Sequence, residues 1–373
     1  MKLNHHISIR STKVLTILAT ISAILMISVE LTKKNTQKPY YNEKYAASKL
    51  MYSCMDYLKA VEFPDEINLD PTNDPNDTRI VGPRFSIITT GRGSHTAKLS
   101  TTNPNSAAMM VEIFKQAGLQ SGDHLGMCFT GSFPGLNIAA ASAAEVLNLD
   151  LSIIASVTSS SWGATDPDHT IIDIYSELYE GKLLSSPIMA ASIGANQDIG
   201  KSLSIRGRQA ALSAIERNKI PIINEGSLSQ NIDLRMELFS SSEGNNDIDA
   251  FINIGGGIAS LGSKGNSDHL RNGYLHELSS DEFIDPKGVL YQMHRAGLPV
   301  INMKDIEHML YQYNMPLDPY PMPQIGTGGI YYGHTYNLLL VCSSLLSLII
   351  LISIVILFDQ KQNALGAHII QTT

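Results

Sequence analysis

The sequence predicts an α/β protein with a doubly wound, mostly parallel sheet, set between two apolar terminal helices. Three observations predict it. From Asp123 onward, short apolar runs alternate with helical patterns. Each run ends in a polar or glycine-rich turn before the next helix. Uncharged stretches rich in Leu, Ile, Ala and Val stand at Val14–Val29 and Leu338–Phe358.

Lys2, Arg10 and Lys13 precede the first apolar stretch, which is the layout of a signal sequence or signal anchor. Glu30-Leu31-Thr32-Lys33-Lys34 follows it without a small-residue cleavage site. Residues 14–31 therefore read as an uncleaved anchor after a short tail, 1–13. Residues 338–358 read as a transmembrane helix, closed by Asp359 and Lys361 and followed by a tail, 359–373. Two spans put both termini on one side of the cell membrane. The signal-like start places them in the cytoplasm and the intervening domain outside. Charge bias does not decide this, because Lys33, Lys34, Lys38, Lys44 and Lys49 follow the first span and long domains translocate largely regardless of charge.

Residues 32–84 read as a stalk helix that joins the edge of the domain, and a linker. Tyr41, Tyr45, Ala46, Leu50, Tyr52, Met55 and Leu58 recur at helical spacing. Pro64, Pro71, Pro75 and Pro83 mark a loop. The α/β domain spans 85–315. It opens with a β-branched strand, Phe85–Thr90, that ends in Gly91-Arg92-Gly93. A helix follows from Ser100, with Asn103-Pro104 as its start signal, and stops at Gly118. Arg92, His95 and Lys98 form a basic cluster in the loop before it, either solvated or in contact with an anion.

Strands are then expected at 124–129, 151–157, 188–193, 220–223, 250–254 and 299–302. Helices are expected at 134–147, 170–180, 204–218, 227–239, 286–296 and 303–314, with polar loops at 240–247 and 260–280. Continuous apolar strands joined by helices imply a parallel sheet covered on both faces, with right-handed crossovers. That is a Rossmann-like arrangement. Pro316, Pro319, Pro321, Pro323 and Gly326-Thr327-Gly328-Gly329 make 316–337 a linker back to the membrane.

The net charge of −8 and the lack of a basic, aromatic-interleaved cluster argue against nucleic acid as a partner. Cys54, Cys128 and Cys342 show neither CxxC nor zinc spacing. Cys342 sits in the apolar run, so at most Cys54 and Cys128 could pair, and nothing demands it. Cys128 reads as a buried strand residue.

In open parallel sheets, ligands sit beyond the carboxyl ends of the strands. Those ends here supply Thr130, Gly131 and Ser132, then Trp162, Asp166, Asp168 and His169, then Asn196 and Asp198, then Asn224 and Glu225, then Gly255, Gly256 and Gly257. Thr130, Gly131, Ser132, Trp162, Asn196 and the three glycines are the ligand-binding candidates. Ser132, Asp166, Asp168, Asp198 and Glu225 are the candidates for acid, base or nucleophile. Ser132 in Gly-Ser-Phe-Pro-Gly lacks the first glycine position of a G-x-S-x-G elbow, which favours capping or ligand contact over nucleophilic attack. Asp166, Asp168 and His169 could ligate a hard cation, but Asp-Pro-Asp before an apolar helix is also a plain helix start. Gly255-Gly256-Gly257 is not G-x-G-x-x-G and reads as a tight turn. The sequence names no cofactor.

Gly131-Ser132-Phe133-Pro134-Gly135-Leu136-Asn137, Ser161-Trp162-Gly163-Ala164-Thr165-Asp166-Pro167, Ala191-Ser192-Ile193-Gly194 and Ile252-Asn253-Ile254-Gly255-Gly256-Gly257 carry a resemblance. Through them the chain resembles the poly-gamma-glutamate system protein family, which accompanies the bacterial membrane ligase and export components of that capsule polymer. The resemblance covers most of 85–315 and the flanking apolar segments. It implies a membrane-anchored accessory role in polymer synthesis or export. It implies those membrane proteins as partners, and an acidic polymer or glutamyl precursor as ligand. It implies no catalytic residues. Two other readings stay open: a membrane-bound hydrolase or transferase acting at the strand ends, and a non-catalytic assembly scaffold.

Overall fold

The computed structural model describes residues 11–62, 70–240, 247–263, 265–278 and 283–371. Most of the N-terminal tail, Pro64 and most of the 240–247 loop lie outside the described residues. The chain divides into two compact units, Lys38–Tyr331 and a unit formed by the two ends, Met1–Gln37 with Tyr332–Thr373.

In chain order, α1 (Thr12–Leu31) and β1 (Lys34–Gln37) precede α2 (Tyr41–Glu62). Helix α2 belongs to the Lys38–Tyr331 unit. It buries Ala47, Met51, Cys54, Met55 and Leu58, a stripe at helical spacing. The compact unit accordingly begins before residue 85.

The Phe85–Thr90 run does not join the main sheet. Ser86 N–H donates to Thr89 Oγ1 (2.9 Å) and Ile88 N–H to Ser86 Oγ (3.1 Å). These local bonds compete with strand pairing and leave Phe85 and Ile87 exposed. Only β2 (Thr89–Gly91) is extended. Helix α3 (His95–Thr101) then starts at Ser94, whose Oγ accepts from Ala97 N–H at 3.2 Å. The expected start at Asn103-Pro104 falls instead in the turn between α3 and α4 (Ser106–Gln116). Buried Lys44 of α2 pairs with Glu112 of α4 at 2.5 Å.

Next come β3 (His124–Thr130), α5 (Pro134–Leu147), β4 (Asp150–Ser156), β5 (Ser159–Ser160), α6 (Ile171–Glu180) and β6 (Ile188–Ser192). Helix α5 begins with Pro134 at its first position and ends on left-handed Asn148 (φ 55°). Then follow α7 (Ile205–Arg217), α8 (Leu228–Ser240), β7 (Ala250–Ile254), α9 (Ile258–Leu261), α10 (Asn266–His269) and β8 (Gly273–Leu275). The domain closes with α11 (Val289–Arg295), β9 (Val300–Met303) and α12 (Ile306–Gln312).

The central sheet has six strands in the order β6-β4-β3-β7-β9-β8. All neighbours are parallel except β8, which runs antiparallel to β9. The molecule is therefore a mixed α/β protein with a mostly parallel sheet. Its strands are buried on both faces. Phe129 meets Tyr175 of α6 on one side (centroids 5.6 Å apart), and Phe251 meets Phe239 of α8 on the other (5.6 Å). The expected strand at 220–223 shrinks to a single bridge, Ala191 to Ile222, at the β6 edge. Pro221 lies inside that run and has no N–H to extend a ladder. Strand β8 lies in what reads as a glycine-rich loop, and it borrows its order from β9.

The expected linker 316–337 is largely part of the domain. Ile330 and Tyr331 are buried. The Tyr331 hydroxyl lies 2.6 Å from Ser48 Oγ and donates to Asn105 Oδ1 at 3.0 Å. Lys44 Nζ donates to the Ile330 carbonyl at 3.3 Å.

The chain ends with β10 (Tyr332–Thr335) and α13 (Leu338–Gln371). In the unit formed by the two ends, β10 pairs antiparallel with β1, and α1 packs beside α13. Thr12–Leu31 has mean hydropathy 2.3 and Leu338–Lys361 has 2.9, so both helices are long and apolar enough to span a membrane.

One buried carboxylate ties α6 to α7. Asp173 accepts from Thr170 N–H and Oγ, both at 2.7 Å, from Arg217 Nε at 2.6 Å and from Asn218 Nδ2 at 2.6 Å. Burial opposes its ionisation, but these donors outweigh burial and hold the carboxyl below its usual range. The stabilisation is complete above about pH 4 and is lost as pH falls through the lowered folded value. Asp173→Asn should destabilise the domain by about 1–3 kcal/mol at pH 7, trimmed by screening at the partly exposed Arg217. Chemical denaturation across pH 3–7 should show the gap to wild type closing at the acid end.

Candidate functional site

The chain winds outward from β3 through β4 to β6 and then returns to the other side of β3 with β7. A sheet whose growth reverses in this way leaves a crevice at its carboxyl edge, between β3 and β7. A pocket of about 560 Å³ opens there. Thr130, Ser132 and Phe133 line it from β3, and Ser156, Thr158 and Ser160 from β4 and β5. Gly194, Ala195 and Asn196 line it after β6, and Gly256, Gly257 and Ile258 after β7, with Thr90, Arg92 and Ser202 at its margin.

The β3 turn is held by backbone. Gly131 N–H sits 3.2 Å from both the Ser156 and Thr158 carbonyls, and its own carbonyl accepts from Ala164 N–H at 2.8 Å and Ser159 Oγ at 2.9 Å. A Cβ on Gly131 would lie 2.9 Å from the Val157 carbonyl. Gly163 is tighter still, since a Cβ there would collide with Ser159 Oγ and the Gly131 carbonyl. This close approach lays β5 across the turn, where Ser160 N–H donates to Ser132 Oγ at 3.1 Å. Ser132 N–H in turn reaches Thr130 Oγ1 at 3.2 Å.

After β7, Gly255 has φ 94°, a conformation that glycine adopts without strain. A Cβ there would sit 2.5 Å from Thr130 Oγ1. Among the described residues, Gly256 and Gly257 give their N–H groups to no protein acceptor, which leaves two free donors on the pocket wall. After β6 the backbone is strained, with positive φ at Ala195, Gln197 and Asp198.

Beneath that turn lies a charged floor. Asp198 is 1% exposed, and its Oδ2 lies 2.6 Å from Arg235 Nη1. Ser192 Oγ donates to Asp198 Oδ1 (2.9 Å), accepts from Arg235 Nη2 (2.8 Å) and lies 2.9 Å from Ser156 Oγ. Burial raises the Asp198 carboxyl, while Arg235 and Ser192 pull it back. Asp198 thus supports Ser156 from below and does not enter the pocket.

Lys98, one of the sequence's basic cluster, is 2% exposed. Its Nζ lies 2.9 Å from Ser160 Oγ and 3.6 Å from the Phe133 ring centroid. Among the described residues no carboxylate pairs with it. Burial pushes its amine down to about 7. Lys98 stands in a helix, not in the loop that its sequence neighbours suggest. The signal for it is the capping Ser94 four residues earlier, which puts Lys98 on the inner face of α3. Ser160 is inconspicuous inside a run of serines.

Thr130, Gly131, Ser132, Asn196, Gly255, Gly256 and Gly257 are thus brought together at one crevice. Trp162 is not part of it. Its ring stacks on His95 (centroids 4.4 Å apart), and its own backbone is left-handed, φ 67°. Asp166, Asp168 and His169 do not converge as a ligand set. Asp166 Oδ1 accepts from Asp168 N–H (2.9 Å), the Asp168 carbonyl accepts from Arg217, and His169 Nε2 lies 3.3 Å from Glu177. The helix start they were expected to make is made by Thr170 and Asp173. Glu225 is exposed on the loop before α8, where its N–H donates to Asn231. Among the described residues no cluster of three or more His, Cys, Asp or Glu side chains could hold a metal ion. Cys54 and Cys128 are both free and buried, and burial pushes the Cys128 thiol up to about 11. No known protein family, curated protein or solved structure matches the chain.

The buried amine sets a stability prediction. An unfolded lysine titrates near 10.4, so between about pH 7 and 10 the unfolded chain binds the extra proton and stability rises with pH. Lys98→Met should remove that slope. It should stabilise the protein at pH 7 by on the order of 2–4 kcal/mol, because each tenfold loss of proton affinity is worth about 1.4 kcal/mol. Melting of the detergent-solubilised full chain at pH 7 and pH 9.5 checks it, and a variant less stable than wild type at pH 7 would contradict it.

Proposed function

We propose that the Lys38–Tyr331 unit is a Rossmann-like domain that binds a carboxylate-bearing ligand in the crevice between β3 and β7. One observation carries this reading. The chain is acidic, with net charge −8, yet among the described residues no Asp or Glu lines the pocket. The lining is instead donor-rich: Arg92, the hydroxyls of Thr90, Thr130, Ser132, Ser156, Thr158, Ser160 and Ser202, and the free N–H groups of Gly256 and Gly257. Exclusion of carboxylates from a site built of donors suits an anionic ligand.

With the two apolar terminal helices and the motif resemblance, this supports a membrane-anchored accessory component of poly-gamma-glutamate synthesis or export. In this proposal the domain faces the extracytoplasmic side and engages the polymer, or a glutamyl precursor, beside the membrane synthesis and export proteins. Asp198 and Arg235 would hold the floor, and Arg92 would take a ligand carboxylate at the rim.

The test is calorimetric titration of the full chain in nanodiscs with a γ-linked glutamate oligomer. Binding should saturate and weaken with salt. Arg92→Ala should weaken it about tenfold, equivalent to about 1.4 kcal/mol. Binding that is absent, or unchanged in Arg92→Ala, would sink the proposal for the pocket. Unaltered polymer amount, length and export after deletion of the gene would sink the assignment to that pathway.

A further inference from the structure

We infer that Ser160 and Lys98 form a nucleophile–base pair for acyl transfer, acting on an ester or amide whose acyl part carries a carboxylate. This rests on the anionic-ligand reading of the same pocket and adds a reaction to it. The geometry assigns the two roles. Ser160 lines the pocket, whereas Lys98 does not, and among the described residues its one hydrogen-bond partner is Ser160 Oγ, at 2.9 Å. The lysine is therefore the base and the serine the attacking group. Ser132, the strand-end serine, is placed differently: its Oγ accepts the Ser160 N–H and so fixes the backbone of the nucleophile.

The surroundings suit an amine that must take up a proton. Phe133 covers it with a ring face, and the residue is almost wholly buried where α3 meets α5. Gly135 permits that packing, since a Cβ there would lie 2.5 Å from the Thr101 carbonyl. Gly93 leaves room over the pair, where a Cβ would sit 2.9 Å from Ser160 Oγ and 3.1 Å from Lys98 Cε. A desolvated lysine without a carboxylate partner is a recurrent activating base for serine. Its depressed proton affinity, about 7, leaves a substantial free-amine fraction at neutral pH.

The step balances without a redox partner. As Ser160 Oγ bonds to the substrate carbonyl carbon, Lys98 Nζ takes the hydroxyl proton and the carbonyl π pair moves to oxygen. Collapse breaks the bond from carbon to the leaving nitrogen or oxygen, which departs with its electron pair and receives the proton from Lys98. The acyl group stays on Ser160. Water or an acceptor amine then attacks that ester, gives its proton to Lys98, and displaces Ser160 Oγ, which recovers it. Arg92 at the rim receives the carboxylate of the acyl part.

The experiment uses the full chain in nanodiscs, a fluorophosphonate probe, and mass spectrometry of the labelled peptides. A single adduct at Ser160 is expected, absent in Ser160→Ala. Labelling should slow at least 100-fold in Lys98→Met and in Lys98→Arg, the second of which keeps the positive charge but cannot accept a proton. Melting curves establish that each variant is folded. No adduct at Ser160 in the folded wild type, or an undiminished rate in folded Lys98→Arg, overturns the inference. Titration with the γ-linked glutamate oligomer separates the two readings. Binding without labelling overturns the pair alone. Labelling without oligomer binding supports the pair and overturns the ligand.

Discussion

The close approach of the backbone at Gly131 and Gly163 is the constraint on which the site depends. Neither position has room for a Cβ, and the Gly131 carbonyl takes two hydrogen bonds from the crossing segment, from Ala164 N–H and Ser159 Oγ. That contact turns the chain after β4 back over the end of β3. It thereby sets Ser160 beside Ser132 and presents β5 to β2, where Ser161 N–H donates to the Gly91 carbonyl at 2.9 Å. The short β2–β5 pair then carries Arg92 to the pocket margin. It also brings α3, and with it Lys98, against Phe133. A few ångströms of backbone approach thus decide which side chains meet.

Charge is sorted by depth around this crevice. The buried acid Asp198 is matched by buried Arg235 under the β6 turn, and Ser192 and Ser156 relay their hydrogen bonds upward. A buried pair of this kind adds little net stability against a well-packed apolar alternative, but removal of one partner leaves a costly orphan charge. Its evident effect here is to fix the hydroxyl of Ser156 and hold a strained turn. Above that floor, among the described residues, no Asp or Glu lines the wall.

Most of the parallel sheet was legible because its strands are continuous apolar runs with polar stops. Residues 124–130, 150–156, 188–192, 250–254 and 300–303 all have this form. The failures have local causes. At 85–88, Ser86 and Thr89 side chains satisfy the backbone and displace the ladder. At 220–223, Pro221 withholds a donor. At 273–275, pairing to β9 gives order to a segment whose own composition is that of a loop. The strand-end residues that line the crevice were legible from the rule that ligands gather at carboxyl ends. Lys98 and Ser160 were not, because their meeting depends on the crossing at Gly163, which no periodicity announces. The acidic residues after β4 stood out in the sequence but serve the α6–α7 junction and its surface.

Several departures from local stability lie around this crevice. Among the described residues, Lys98 is buried without a counter-charge. Ala195, Gln197 and Asp198 hold left-handed backbone at nearly successive positions. Gly256 and Gly257 leave N–H groups unused. Away from the crevice, Lys44 has Glu112, Asp173 has Arg217 and two capping bonds, and both sheet faces are packed with apolar side chains. A fold that needed only to be stable could replace Lys98 with a methionine and relax the turn after β6. A strained turn, two unused N–H donors and, behind Ser160, an amine without a counter-charge thus surround a crevice that no Asp or Glu lines among the described residues, a combination found more often at functional sites than in plain packing.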